Sequence, residues 1–521
     1  MKKVIILILF LLFGGFYFVG LTTPTKDLTE ASIHSEGKPV LFLLIDSLMD
    51  EPLQKAIEEG KAPAFEFLID HGHYYSEIVS SYPTMSVTVD STLLTGTYAD
   101  QHKIPALAWY RQDEERLVNY GSGPSEVWAL GIKQMARDSL IRLNEDHLSQ
   151  NVSTIYEELE DERIQSASIN GLIYRGNSPG YLTIPRLAAW LNLLPENVNI
   201  NGPTLLSLGG FSQWNSNSDY SNKIWKNIGI NDEFSANELV YMIQENQLPS
   251  FTLAYFPNLD RPVHKRGPMV LKEIEAVDKE LQKILNTYPT WKEAIQKATW
   301  IVYGDSGQSK VSSDDDSALI DLNDLLAQYA VWNPGDKVQE RDQVVLAVNA
   351  RMAYINLLDN GIAFSEIVSQ LKKDPRIGFI SWKEKEMNYV AAEGSNQLLS
   401  FSPNGNYTDS YGQTWDIEGD ISLLDLTVND QDIITYGDYP DALARLHGAL
   451  HSHEGRYVIV DAKPRYEFIG DHTPTHVGGA AHGSLHKEDS VSPLIIAGTN
   501  NQPEYARVLD FKKWVLKLVG T

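Results

Sequence analysis

Residues 39–46, with the sequence PVLFLLID, form a continuous apolar run that ends in an aspartate. Such a run is typical of a strand in a buried parallel sheet, because both faces of that sheet pack against helices. Similar runs occur at 251–256 (FTLAYF), 299–303 (TWIVY) and 493–497 (PLIIA), and an amphipathic segment occupies 268–285. The alternation predicts an α/β fold in which helices sandwich a mostly parallel central sheet.

The periodicity changes between residues 336 and 453, where Gly, Asn and Asp residues separate short segments. This pattern predicts a smaller α+β insertion at 336–453 that carries one or two hairpins. We therefore predict a catalytic α/β domain made of residues 39–335 and 454–521. A linker at 23–38 and a signal or N-terminal membrane anchor at 1–22 precede it.

The first 22 residues indicate where the protein resides. Lys2 and Lys3 precede an apolar run from Val4 to about Leu21. This run has about the length of a membrane-spanning helix, roughly 17–25 residues, and the residues after it fit a signal-peptidase site poorly. We expect an exported protein that is anchored in the cell membrane and faces outside. A cleaved signal, which would give a secreted protein, is the alternative.

Charge and cysteine content exclude several functions. The net charge is -26 and the chain has no cysteine. Such a surface repels nucleic acid, so we expect no nucleic-acid binding groove. Disulfides and thiolate metal sites are excluded, and any metal site must use His, Asp, Glu and hydroxyl groups. A phosphate-containing substrate would need local positive charge, which bound cations can supply.

Side chains that suit metal or phosphate chemistry follow predicted strands or begin predicted helices. They are Asp46; Ser86 in 83–96 (PTMSVTVDSTLLTG); Asp260 and His264 in 260–268 (DRPVHKRGP); Asp305 in 303–308 (YGDSGQ); and His482 in 478–489 (GGAAHGSLHKED). In parallel α/β sheets, functional sites collect beyond the carboxyl ends of the strands. We therefore consider these side chains together.

Two of these segments suggest specific chemistry. A hydroxyl such as that of Ser86 at a helix N-terminus lies in a positive backbone field, which favours an alkoxide and an attached phosphate. A simple helix cap is the alternative role for Ser86. Asp260 and His264, four residues apart in a predicted loop, are able to share one metal ion and suit zinc. An exposed surface loop is the alternative there.

The order and context of these segments resemble the alkaline-phosphatase superfamily, specifically its type I phosphodiesterase/nucleotide-pyrophosphatase branch. The resemblance covers about residues 39–310 and 440–500. The segments that carry it are Pro83-Thr84-x-Ser86 with Thr95-Gly96, Asp260-x-x-x-His264-x-x-Gly267-Pro268, and His482-Gly483. It implies an enzyme that hydrolyses phosphate esters through a phosphoseryl intermediate.

The resemblance also implies roles for individual residues. Ser86 matches the nucleophile, which is Thr or Ser in the family. The family holds two divalent metal ions, which we expect to be zinc. Asp260, His264 and His482 match the ligands of one ion, and Asp46, Ser86 and Asp305 match ligands of the other.

Two positions depart from the family pattern. Ser306 stands where the family has a histidine, so the second metal site lacks an imidazole that Ser306, water, His472 or His476 would have to replace. Val89 stands near the place of an asparagine that donates to a phosphate oxygen in nucleotide-cleaving members. These two departures suggest a degenerate, non-catalytic metal-binding member as one alternative to a phosphodiesterase. A phosphomonoesterase of the same superfamily is another, because the motifs do not define the size of the substrate.

Overall fold

The computed structural model describes residues 25–520, except 36, 216–226 and 228. The predicted signal or anchor at 1–22 therefore lies outside the described residues. Within the described ranges, no helix combines the length and the apolar composition that crossing a membrane requires.

Strands of the described chain assemble into two large sheets and several two-stranded ribbons. The strands of the two large sheets are β1 (Val40–Ile45), β2 (Gly72–Val79), β3 (Ser166–Ile169), β4 (Leu205–Ser207), β5 (Phe251–Phe256), β6 (Thr299–Gly304), β7 (Val344–Asn349), β8 (Met352–Leu357), β9 (Ile377–Glu384), β10 (Met387–Ala391), β11 (Leu399–Asp409), β12 (Thr414–Gly419), β13 (Leu426–Val428), β14 (Ile433–Tyr436), β15 (Tyr457–Ala462) and β16 (Val491–Ala497).

The first sheet has the order β2-β16-β6-β1-β5-β3-β4. Strands β6, β1, β5, β3 and β4 pair in parallel. Strand β16 is antiparallel to both of its neighbours. The prediction of a mostly parallel central sheet is confirmed, and the apolar run quoted first lies at the middle of that sheet.

Helices cover both faces of this sheet. The helices that matter for the packing are α1 (Asp50–Glu58), α2 (Pro63–Asp70), α3 (Ser86–Thr95), α4 (Ile155–Asp161), α5 (Asp232–Gln244), α6 (Asp260–Arg266), α7 (Leu271–Leu285), α8 (Phe364–Leu371), α9 (Ala442–Leu450) and α10 (Phe511–Val519). In β1, Leu41 and Leu43 join one core with α1, α2, α5 and α7. Phe42 and Leu44 join the other core with α3, α4 and α10. This division follows from the two-residue alternation of side chains along a strand.

The second sheet takes its strands from residues 344–462 and has the order β7-β8-β15-β9-β10-β11-β14-β13, with β12 beside β11. Four antiparallel hairpins, β7–β8, β9–β10, β11–β12 and β13–β14, contribute to it. The expectation of one or two hairpins was therefore too low. The division of the chain into domains stays a prediction.

The segment 260–268 differs from its predicted conformation. It forms helix α6, not a loop, and the following helix begins at Leu271 instead of Pro268. Gly267 has a φ of 87° and ends α6, since glycine adopts this conformation without steric cost. Asp260 and His264 thus lie one turn apart on the same helical face.

Candidate active site

The sheet register brings two of the predicted carboxylates together. Ile45 at the end of β1 pairs with Gly304 at the end of β6. Asp46 and Asp305 are the next residues along these two parallel strands, so they emerge side by side at the carboxyl edge. The backbone N–H of Ser47 donates to Asp305 Oδ1 at 2.8 Å and so ties the two strand ends together.

Ser86 is placed at the opening of this edge. It is the first residue of α3, and the cap position belongs to Met85, so the alternative role of Ser86 as a helix cap is wrong. All residues from 80 to 95 are buried except Ser86, which is half-buried. Burial raises the pKa of Asp305, and the backbone N–H of Ser47 followed by the Ser86 side chain opposes that rise.

Three further predicted ligands form a compact group. One ligand atom from each of Asp260, His264 and His482 lies within 4.8 Å of the other two, and among the described residues this is the one group that does so. The His264 Nε2 atom is 3.1 Å from Asp260 Oδ1. The structure thus brings together side chains from α6 and from a segment more than 200 residues further along the chain.

Hydrogen bonds orient both imidazoles for metal binding. His264 Nδ1 lies 2.8 Å from the Ala480 carbonyl oxygen, and His482 Nδ1 lies 2.5 Å from the Thr84 carbonyl oxygen. A carbonyl only accepts, so each Nδ1 carries the hydrogen, and in the neutral ring the lone pair is on Nε2. Metal-ligating histidines show this arrangement. The donor set of two imidazoles and one carboxylate fits zinc.

The charges of the Asp46 and Asp305 pair and of the group of Asp260, His264 and His482 also favour bound cations. Burial, followed by repulsion from Asp305 and Asp260, raises the pKa of Asp46 well above its usual value. Burial raises the pKa of Asp305 to about 6. Burial and then the charge of His264 lower the pKa of His482 to about 4, which keeps this ring neutral at pH 7. Asp260 raises the pKa of His264 against the larger effect of burial, so a cation that binds this group would take the place of the proton on His264.

Ser47 and Gln308, which the sequence did not single out, lie between the strand-end carboxylates and the group of Asp260, His264 and His482. The hydroxyl of Ser47 and the Nε2 amide of Gln308 both donate to Asp260 Oδ1, each at 2.9 Å. Ser47 has a φ of 59°, a conformation that is uncommon for a residue other than glycine and is concentrated at functional sites. Its position directly after Asp46 was the available signal, whereas nothing in the sequence marks Gln308.

The structure does not bring an imidazole to the position of the missing ligand. Ser306 is fully buried and its hydroxyl has no hydrogen-bond partner. His476 stacks on His264 with a centroid distance of 4.3 Å, and His472 is exposed with its Nδ1 at 3.3 Å from the Ser125 hydroxyl. No histidine of the described chain hydrogen-bonds to Asp46 or Asp305.

Beside the group of Asp260, His264 and His482, the chain at Gly479 passes so close to the backbone of α6 that it requires a glycine. A Cβ atom added to Gly479 would lie 1.9 Å from the His264 carbonyl oxygen. We expect Gly479→Ala to lower the free energy of unfolding by about 1–3 kcal/mol, as overpacking does, and to displace His264. Gly180→Ala is the matched control, because its nearest neighbour would be Ile200 Cγ1 at 3.9 Å. Urea unfolding measures both variants, and equal stabilities would contradict the prediction.

A buried carboxylate near the site makes stability depend on pH. Burial raises the pKa of Asp232 to about 7, although its Oδ1 accepts from the Asn258 N–H at 2.9 Å. The unfolded chain releases this proton near pH 4, so the carboxyl destabilises the fold as pH rises from about 4 to about 7, by about 4 kcal/mol in total. We expect Asp232→Asn to lose less stability than the wild type between pH 5 and pH 8. Urea unfolding at both pH values tests this, and identical losses would disprove it.

The mostly parallel sheet with this polar cluster at its carboxyl edge agrees with the arrangement that the motifs predict. The model of the family "Type I phosphodiesterase / nucleotide pyrophosphatase" matches residues 40–484. The chain therefore belongs to this family, and the resemblance seen in the motifs is confirmed. It is a phosphoric ester hydrolase.

Solved structures with similar folds are found at low sequence identity. Murine ectonucleotide pyrophosphatase/phosphodiesterase 5 is 12% identical, with a TM-score of 0.55 over 92% of this chain and 95% of the other. Phosphonoacetate hydrolase from Sinorhizobium meliloti 1021 is 14% identical, with a TM-score of 0.53 over 94% and 99%. These likenesses concern the fold alone. A comparison with curated protein sequences finds no match.

Proposed function

We propose that this protein is a metal-dependent phosphodiesterase that acts through a phosphoseryl intermediate on Ser86. One observation carries the proposal. The half-buried Ser86 begins α3 two residues after Thr84, whose carbonyl oxygen accepts from His482 Nδ1. Ser47 donates to both Asp305 and Asp260, so these side chains lie at the same edge of the sheet as the group of Asp260, His264 and His482. A nucleophile, buried carboxylates and imidazoles are the components of a metal-assisted displacement at phosphorus.

In this proposal each side chain has a defined role. Asp260, His264 and His482 would hold one divalent cation, and Asp46, Ser86 and Asp305 would contribute to a second. Bound at these positions, divalent cations such as zinc lower the pKa of a coordinated hydroxyl or water and neutralise charge on phosphate oxygens. Ser47 and Gln308 orient the Asp260 carboxylate through their hydrogen bonds.

The reaction consists of two successive displacements at the phosphorus atom, with Ser86 as the intermediate carrier of the phosphoryl group. The Ser86 hydroxyl releases its proton and its oxygen bonds to phosphorus, while the bond from phosphorus to the leaving oxygen breaks and the leaving oxygen takes up a proton. Water then attacks phosphorus, the Ser86–phosphorus bond breaks, and Ser86 regains a proton. The products are an alcohol and a phosphate monoester.

The N-terminus of α3 would stabilise the negative charge that develops on the phosphate oxygens. Val89 is fully buried in the apolar core and has no side-chain donor. The first backbone N–H groups of α3 therefore supply the donors, since a helix N-terminus binds phosphate through its free amides and its dipole.

Nucleotide-type phosphodiesters are the favoured substrates. The family is named for phosphodiesterase and nucleotide pyrophosphatase activities. A similar structure, 12% identical, is an inactive variant of the murine protein in complex with AMP. A phosphomonoesterase remains the alternative within the superfamily.

We also propose that the protein is exported and held at the outer face of the cell membrane by residues 1–22. Lys2, Lys3 and the apolar run that follows them support this location. Fractionation of cells into membrane and soluble parts tests the proposal. Recovery of the full-length chain from the cytoplasm would refute it.

Hydrolysis of a p-nitrophenyl phosphodiester by the purified protein tests the function. We expect activity that disappears after treatment with EDTA and returns with added zinc. The matching p-nitrophenyl monoester should react more slowly. Faster turnover of the monoester would favour the phosphomonoesterase, and no turnover of either ester at any metal concentration would favour the non-catalytic alternative.

A further inference from the structure

Three of the seven large apolar side chains that the described chain leaves exposed belong to one hairpin. Its strands, Ser178–Thr183 and Asn197–Gly202, pair antiparallel, and the short helix Arg186–Trp190 lies between them. The exposed side chains of this 178–202 hairpin are those of Tyr181 (43%), Trp190 (80%) and Leu191 (53%). Exposed apolar side chains that are neighbours, rather than scattered singly, point to a contact surface.

The 178–202 hairpin is packed firmly against the body of the protein by one of its faces. Leu182 and Ile200 are buried in a core cluster that also contains Leu206 of strand β4. The Ile184 N–H donates to the Glu196 carbonyl oxygen at 2.8 Å and closes the base of the tip. The tip, between residues 184 and 196, therefore has a defined position beside the edge strand of the central sheet.

The described residues begin beside this same hairpin. The Lys26 ammonium lies 4.9 Å from the centre of the Tyr181 ring and 5.4 Å from that of the Trp214 ring. It also donates to the Ser212 hydroxyl at 3.0 Å, and the Lys26 backbone N–H donates to the Gln213 carbonyl oxygen at 3.0 Å. Residue 26 is thus fixed to the hairpin that carries the exposed tip.

The membrane anchor that we propose for residues 1–22 ends close to this point. From Leu21, at the end of the apolar run, five residues lead to Lys26 and span at most about 18 Å. Between Tyr181 and Trp190 the chain includes the helix Arg186–Trp190, so these two residues lie at most about 25 Å apart. An anchor embedded in a bilayer therefore brings the tip within reach of the surface of that bilayer.

The composition of the tip suits a bilayer interface. Tryptophan and tyrosine concentrate at the boundary between membrane and water because their rings are amphipathic. The net charge of -26 opposes binding to anionic lipid, so an apolar contact with a zwitterionic surface is favoured. So small a patch binds weakly alone, but a short linker to an anchor gives it a high effective concentration at the bilayer.

We propose that the tip of the 178–202 hairpin, through Trp190 and Leu191, rests in the head-group region of the membrane that holds the anchor. This contact is a second point of attachment. It restricts the orientation of the catalytic domain relative to the bilayer, whereas a single linker leaves the domain free to rotate. The inference rests on the proposed location at the membrane and is independent of the proposed reaction.

Site-specific labelling tests the contact, because the chain has no cysteine and a single introduced thiol reacts without competition. The full-length chain with Trp190→Cys carries a fluorophore and is reconstituted into phosphatidylcholine vesicles. We expect spin-labelled lipid to quench the fluorophore strongly and aqueous iodide to quench it weakly. Leu398→Cys is the matched control, since Leu398 is also exposed but precedes β11 in the second sheet. A label there should show the opposite pattern.

A second substitution tests whether the contact is apolar. Leu191→Glu, added to the labelled Trp190→Cys chain, places a charge at the tip, which the apolar side of the interface disfavours. We expect it to move the label into water and to restore quenching by iodide. Leu191→Met keeps an apolar side chain and should leave the label in contact with lipid. Leu191 is exposed, so neither change disturbs the core.

Several outcomes would overturn the proposal. Equal quenching patterns at positions 190 and 398 would do so, as would energy transfer between labels at position 190 that disappears on dilution with unlabelled chain. The latter would show that a second copy covers the tip. A full-length chain that does not float with the vesicles would refute the proposed location and this inference with it. Lipid contact at position 190 without hydrolysis would refute the proposed reaction alone.

Discussion

Replacing Ser86 with alanine is expected to lower kcat for a p-nitrophenyl phosphodiester by at least about 10⁴-fold, as loss of a nucleophile does in hydrolases. The substitution removes the oxygen that would bond to phosphorus. Nothing else near the start of α3 offers a replacement, because residues 80–95 are otherwise buried. Steady-state kinetics with saturating metal measure the loss, and trapping of a phosphoprotein at low pH should succeed in the wild type and fail in Ser86→Ala.

Ser86→Thr is the matched control for this experiment. It keeps a hydroxyl at the first position of α3, and the family uses either residue as its nucleophile. We expect it to retain turnover within about 100-fold of the wild type and to form the phosphoprotein. Turnover by Ser86→Ala within tenfold of the wild type would disprove the assignment.

Replacing His264 with alanine should produce the second largest effect. The variant loses one ligand of the group of Asp260, His264 and His482. It also removes the positive partner of Asp260, because His264 lowers the pKa of this carboxyl against the larger effect of burial. We expect Zn²⁺ affinity and kcat to fall by about 100-fold or more, because loss of even an outer metal partner costs about 10–100-fold. Elemental analysis of the purified variant should find one metal ion fewer per chain.

His472→Ala provides the comparison. This imidazole is exposed and contacts Ser125, so its loss should leave metal content and kcat unchanged. His476→Ala would be a poorer control, because that ring stacks on His264. Equal metal loss in His264→Ala and His472→Ala would show that the first group is wrongly assigned.

The central sheet was predictable because its signal is local. A run of apolar residues such as 251–256 is recognisable within one strand, and the buried strand Phe251–Phe256 has the same bounds. The conformation of residues 260–268 was harder to predict from the sequence. Its prolines and glycine indicated a loop, but α6 forms because Val263 is fully buried in the core on that side of the sheet.

Individual strand-end residues were recognisable as well, but their partners were not. Asp46 and Asp305 were singled out because each follows an apolar strand. Gln308 looks like an ordinary polar residue of a loop, and only its burial and its hydrogen bond to Asp260 show otherwise.

The sequence by itself determined the class of fold, the order of the strands' polar end residues and the family, because each of these depends on short segments with their own periodicity or motif. Tertiary structure alone decided which side chains meet. Ser47 reaches Asp260 across 213 positions and His482 reaches Thr84 across 398. Such contacts depend on sheet register and on the burial of charge, and neither property is encoded within a single segment.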